Sequence, residues 1–307
     1  MRRAAPRRGR LTVSFLIAVL AVSVMSACGP GSGKTAKNSR GETPPQQAEE
    51  WFYDSFNEEQ KMAYDAFRSM AEDPFREEPV PIRDRQGNTA SIAVRDLDKV
   101  YQGFLHDHPE VFWLSRTYRY RALGDQSGEE RADAVAALAV PESEEELARQ
   151  KEEFEKAADA FLQGVKETDS DRDRAAAVYE KLAAQTEYEE TAMYDERLET
   201  EHTAYSVIAG GRGVCDGISL AYKYLLAECG IRCLTVPGES GGEAHVWNLI
   251  YWDGSWHEAD LTWDIASDGN DRMQYFDLTT EEMNKDHQRE KDGIASVIPQ
   301  AQKRAIP

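Results

Sequence analysis

The sequence predicts a mixed α and β protein, and three observations carry that expectation. Capped, helix-periodic segments recur between residues 57 and 186. A further apolar-faced run, Ile218–Glu228, closes on Gly230, a helix-stopping residue. Two alternating runs, His245–Trp252 and Ser255–Thr262, are joined by Asp253-Gly254, the strongest short hairpin signal. With 307 residues, 41% of them hydrophobic, the chain is too apolar for a disordered polymer and long enough for a large core.

Charge divides the chain at residue 28. The first 27 residues hold five Arg and no acid. The remaining 280 carry 31 basic and 56 acidic groups, a net charge of −25, which repels phosphate backbones and argues against nucleic-acid partners. Residues 11–25 are an uncharged apolar run of fifteen, short for a membrane span. A basic start, a short apolar centre and a small-residue end predict a signal peptide over residues 1–27. Met25-Ser26-Ala27-Cys28-Gly29 resembles the lipobox of bacterial lipoproteins, which implies lipidation of Cys28 and an extracytoplasmic, membrane-anchored protein. The other reading is plain secretion with a free Cys28. Residues 28–50, rich in Gly, Ser and Pro, read as a flexible tether. Gly29–Thr35 imitates a phosphate-binding loop but has Cys28 in place of the first glycine and no strand before it, so nucleotide binding is not expected.

Order is expected from Trp51. Asn57 and Gln60 form a capping-box pair opening a helix to about residue 71, and Pro74, Pro79 and Pro81 break the pattern. Asp96–Leu105 reads as a helix and Tyr118–Leu123 as a strand. His106 and His108 flank a turn before Pro109 and lack a ligand framework, so no metal is assigned to them. Ser143 and Glu146 cap a charged helix over about 144–166. Another helix, about 172–186, places Ala176, Val178, Tyr179, Leu182 and Ala183 in the core. Residues 51–140 are read as an N-terminal α/β extension and 141–307 as the catalytic core.

The chemistry-bearing stretch is 201–268. Cys215, in Gly211-Arg212-Gly213-Val214-Cys215-Asp216-Gly217, stands at a helix N-terminus, where the dipole and free N–H groups favour a thiolate. Ile231–Pro237 reads as a strand and residues 238–242 as a flexible loop. A two-residue hairpin loop sets Trp247 opposite Asp260 and His245 opposite Thr262. His245 and Asp260 are then diagonal neighbours on one face, within reach of each other, while His257 falls on the other face. A thiol, a base and a carboxylate that orients the base are the parts thiol catalysis needs. Cys229 and Cys233 read as packed thiols or as a disulfide.

Gly213–Gly217, His245-Val246-Trp247-Asn248 and Trp256–Asp264 together resemble the transglutaminase-like superfamily, as do His202–Tyr205 upstream and Tyr275–Leu278 with His287 downstream. The resemblance covers roughly residues 170–290. It implies an α+β, papain/transglutaminase-like core: a nucleophile-bearing helix packed on an antiparallel sheet, preceded by a mainly helical N-terminal extension. It implies Cys215 as nucleophile, His245 as general base and acid, and Asp260 as orienter; Asn248 and Trp263 match motif positions and are read as structural. The expected activity is hydrolysis or transfer at peptide or protein amide bonds, with cell-wall peptides as candidate substrates and no cofactor. A catalytically silent scaffold or binding lipoprotein is the competing expectation.

Overall fold

The computed structural model describes residues 50–123, 129–166, 169–193, 196–266 and 273–302. The expected signal peptide, Cys28 and all of the expected tether before Glu50 lie outside the described residues. Among the described residues no helix is long and apolar enough to cross a membrane.

The first part of the chain packs helices α1 (Trp51–Ser55), α2 (Glu58–Glu72) and α3 (Val94–Asp107) beside an antiparallel sheet. The Asn57 capping box forms as expected: Gln60 N donates to Asn57 Oδ1 at 3.0 Å, and Asn57 N to Gln60 Oε1 at 3.1 Å. Tyr64, Phe67 and Met70 recur at helical spacing on the buried face of α2. Phe67 meets Tyr101 of α3 at 4.5 Å between ring centroids. Strand β4 (Arg131–Ala139) pairs with β1 (Val80–Pro81), β2 (Ile92–Ala93) and β3 (Leu114–Leu123).

Helix α4 (Glu144–Leu162) starts on Ser143, whose Oγ accepts Glu146 N. It stops four residues earlier than its charge pattern suggested, before Gly164 at φ +86°. Helix α5 (Asp171–Gln185) buries Ala175, Val178, Tyr179 and Leu182; Ala176 is only partly buried. The short strands β5 (Glu187–Tyr188) and β6 (Arg212–Gly213) pair in parallel, with helix α6 (Ala204–Ile208) between them.

Helix α7 (Cys215–Glu228) lies across the second sheet, whose strand order is β10 (His287–Arg289), β7 (Arg232–Ser240), β8 (Glu243–Trp252), β9 (Ser255–Ala259). Ile218, Ala221, Tyr222, Leu225 and Leu226 are fully buried on its inner side. The β8–β9 register is the expected one: Leu249 faces Glu258 and Tyr251 faces Trp256. Asp253 (φ 51°) and Gly254 (φ 79°) supply the left-handed turn. Two expectations change here. Strand β9 ends at Ala259, and Leu261–Ala266 form helix α8, so Thr262 is helical and does not pair with His245. Residues 238–240 continue β7, and Gly241-Gly242 make a tight hairpin to β8 rather than a long loop.

One hydrophobic core runs from Phe52 to Ala301, joining the N-terminal segment to the second sheet. Polar ties cross the same boundary. The Asp107 carboxylate accepts from the Phe52 and Tyr53 N–H groups and the Tyr64 hydroxyl. The buried Lys223 ammonium of α7 donates to His106 O and lies 4.0 Å from Asp107 Oδ1. Cys215, Cys229 and Cys233 are free thiols; Cys233 is buried and Cys229 half-buried at the C-cap of α7.

Candidate active site

Cys215 is the first residue of α7, and the segment before it fixes the approach. Val214 N donates to Glu201 O at 3.0 Å. A Cβ on Gly217 would stand 2.7 Å from Glu201 O and 2.9 Å from Thr203 O, so only glycine lets the 196–202 turn lie against this helix start. The same turn delivers His202. The first turn of α7 is tied to β8 through Ser219 Oγ, which donates to Val246 O at 2.9 Å, one residue from His245. Asn248 donates to Ser219 O at 2.9 Å and to Cys233 Sγ at 3.4 Å, a structural role as expected.

The expected diagonal pair forms. His245 Nε2 and Asp260 Oδ2 are 2.6 Å apart, and both residues are buried. Nε2 is the donor, since a carboxylate only accepts, and Nδ1 is left as the acceptor of a neutral ring. Asp260 Oδ1 accepts Trp263 N at 3.2 Å, the backbone N–H of Asp260 donates to Tyr275 O, and its carbonyl accepts the Tyr179 hydroxyl. Burial works to raise the Asp260 pKa, but its interactions with His245 and His287 outweigh it and bring it to about 2. His257 is on the opposite face, stacked on Trp252 and paired with Asp277 at 2.7 Å.

The thiol departs from expectation. Burial first, and the adjacent Asp216 carboxylate second, push the Cys215 thiol well above its ordinary range; the Val246 N–H works the other way. Cys215 Sγ donates to Asp216 Oδ1 at 3.4 Å. The resting group is therefore a thiol, and helix position alone does not make it a thiolate. Asp216 is an ion-paired carboxylate: Arg116 Nη2 is 2.5 Å and His202 Nδ1 3.2 Å from its Oδ2. Burial opposes its ionisation, yet Arg116, His202 and His106 together hold it well below the usual carboxylate range.

Sequence reasoning gave no site role to Arg116, His202, Asp216 or His287. His287 Nε2 lies 2.7 Å from Asp260 Oδ2, and its Nδ1 lies 2.6 Å from Asp286 Oδ1. Around it stand Trp263, Trp247 and Tyr275, with centroids at 4.8, 5.1 and 5.6 Å. Beneath His245, Trp247 Nε1 donates to the buried Glu258 at 2.6 Å, and Arg289 neutralises Glu258 at 2.7 Å.

His245, Asp260 and His287 also offer three ligand atoms within 4.8 Å. Donors around a tetrahedral zinc sit roughly 3.3 Å from one another, given metal–ligand bonds near 2.0–2.1 Å. The two Nε2···Oδ2 separations of 2.6 and 2.7 Å are hydrogen bonds instead, and no metal is assigned. His106 and His108 diverge: His106 Nδ1 meets Thr235 Oγ1 at 2.5 Å, and His108 Nδ1 meets Glu110 at 2.9 Å.

Residues 159–261 match the model of the transglutaminase-like superfamily. Two curated relatives are the kyphoscoliosis peptidases of Mus musculus, 29% identical over 112 residues, and of Homo sapiens, 26% identical over 111 residues. Each match covers 32% of this chain and only 17% of the relative. A crystal structure of a TGase is similar over 50% of this chain and 46% of its own, at 16% identity and a TM-score of 0.34. Residues 159–261 are thus similar to the transglutaminase-like superfamily, within a mixed helix-and-sheet fold.

Proposed function

We propose that the protein is a lipid-anchored, extracytoplasmic thiol enzyme that acts on peptide or protein amide bonds through Cys215, His245 and Asp260. The observation that carries this reading is the 2.6 Å hydrogen bond from His245 Nε2 to buried Asp260, which leaves Nδ1 as the base beside the strand that touches the thiol helix. His245 takes the thiol proton as sulfur attacks the amide carbonyl. The C–N bond then breaks, and His245 returns that proton to the departing amine, leaving a thioester. Water resolves the thioester in hydrolysis and a second amine resolves it in transfer. The developing oxyanion faces the first turn of α7, where the backbone N–H of Cys215 is the candidate donor. Cys28 supplies the anchor, and cell-wall peptides are the substrate class such a location offers. The elevated thiol favours a second reading, a silent scaffold or binding lipoprotein.

Incubation with a peptide library, read by mass spectrometry against Cys215→Ala, tests both readings. Cleavage, deamidation or crosslinks that vanish in the variant support the enzyme. Identical spectra favour the scaffold. Mass spectrometry of the mature N-terminus tests the anchor: a chain beginning at unmodified residue 28, or earlier, overturns it.

A further inference from the structure

We propose that Ser219 is a positioning residue: its hydroxyl, bonded to the Val246 carbonyl, seats the Cys215 sulfur against strand β8, one residue from His245. This rests on the reading of Cys215 as the nucleophile given above.

The need for such a clamp begins with a proline. Val246 is opposed by Pro237 on β7, and proline has no N–H to donate. On the other side β9 ends at Ala259, which opposes Asn248, so that strand does not extend to Val246. The Val246 carbonyl therefore has no ladder donor on either side of β8. Ser219 Oγ supplies one at 2.9 Å. The tie is doubled two residues along the same strand, where Asn248 Nδ2 donates to Ser219 O at 2.9 Å. Ser219 is 2% and Asn248 1% exposed, so bulk water does not compete for either bond.

Cys215 stands four residues before Ser219, so the two side chains share one face of α7 with Cβ atoms about 5–6 Å apart. Both meet the same residue of β8. Ser219 takes the Val246 carbonyl. Burial and Asp216 raise the thiol pKa, and the Val246 N–H, facing the sulfur, works to lower it. Asp260 holds the ring of His245, the residue before Val246, at 2.6 Å. Asp216 lies on the same helix as the sulfur and moves with it, so it does not hold the sulfur to the sheet. Ser219 does. A hydroxyl that only satisfied a buried carbonyl would stabilise the fold and leave the thiol's reactivity unchanged.

The charged groups that act on the thiol are Asp216, held by Arg116 of β3 and His202 of the 196–202 turn, and Asp260 after β9. Tyr188 of β5 also faces it: burial first and the thiol second raise that phenol. Ser219 bonds none of these groups, so its replacement leaves their charges in place.

The test is the pH profile of iodoacetamide alkylation, read at the Cys215 peptide, in Ser219→Ala and in Val100→Ala, a fully buried core change on α3. In Ser219→Ala the sulfur loses its seat at the Val246 N–H, and the alkylation midpoint rises by about one pH unit, a tenfold change. Val100→Ala leaves the midpoint where it is. In peptide turnover Ser219→Ala lowers kcat by about tenfold or more, with KM within about twofold. An unmoved midpoint in folded Ser219→Ala, or an equal rise in both variants, overturns the proposal. Amide NMR of the wild type needs no variant: the Val246 N–H resonance titrates with the Cys215 midpoint, and a resonance fixed through that midpoint also overturns it. Alkylation and NMR need no turnover. A protein that processes no peptide therefore counts against the enzymatic reading alone, and an active enzyme with an unmoved midpoint counts against the Ser219 role alone.

Discussion

Two aspartates flank the candidate site, Asp260 buried and Asp216 half-buried, and they act in opposite directions. Asp260 and Asp216 each accept on one oxygen from two cationic or cation-forming side chains: His245 and His287 for the first, Arg116 and His202 for the second. Asp260 stands behind the imidazole and orients it. Asp216 stands beside the sulfur and holds its proton in place. The residue type is the same and Asp216 is the more exposed of the two, yet the effect follows which partner each carboxylate faces. Burial first, and the Asp216 carboxylate second, push the thiol up against the partial positive charge of the helix end.

Removing each carboxylate tests that contrast. Asp260→Asn has the largest expected effect, since the amide presents the wrong donor and acceptor set to His245; turnover in the peptide assay falls on the order of 10³–10⁴-fold. A loss under tenfold would deny Asp260 its orienting role. Asp216→Asn runs the other way. It removes the charge beside the sulfur, and the alkylation midpoint of Cys215 falls by about one pH unit. Arg116→Ala has a smaller effect of opposite sign. It leaves Asp216 less neutralised, raises that midpoint, and lowers stability in urea melts by about 1–2 kcal/mol, a buried-pair cost discounted because Arg116 is a third exposed.

Stability against pH separates the aspartate and histidine halves of the Asp260 cluster. The folded Asp260 pKa, about 2, lies below an aspartate's ordinary value near 3.9. Its contribution is fully present above about pH 3.9 and is lost as pH falls toward 2. The folded His287 pKa is raised, so its contribution is present below about 6.5 and is lost as pH rises through the folded value. Urea melts across pH should show Asp260→Asn flattening the acid limb and His287→Gln flattening the alkaline one. The same slope in wild type and variant would remove that residue from the linkage.

What was legible in the sequence was local. The Asn57 and Ser143 caps, the start of α7 and the β8–β9 register are written within a few residues, in side-chain oxygens, helical spacing and an Asp-Gly turn. That register also placed His245 within reach of Asp260. The Gly241-Gly242 hairpin was equally local and carried a recognised turn signal, but the surrounding small and polar residues read as a loop. Strand β4 is alanine-rich, a composition that favours helix, and it is a strand because three neighbours pair with it. Arg116 and His287, which were given no site role, reach the site across distant chain. Arg116 reaches Asp216 across 100 residues, and His287 reaches Asp260 because β10 pairs with β7, opposing His287 to Ser240. No spacing rule encodes such meetings.

The Lys223 ammonium has a consequence for where the chain can be cut. It sits on the nucleophile helix, and the oxygens that hold it come from residues 106 and 107. The segment that matches the superfamily begins at residue 159. Cut there, the helix would keep a buried cation without the two oxygens that hold it, so a fragment starting at residue 159 leaves Lys223 without these partners.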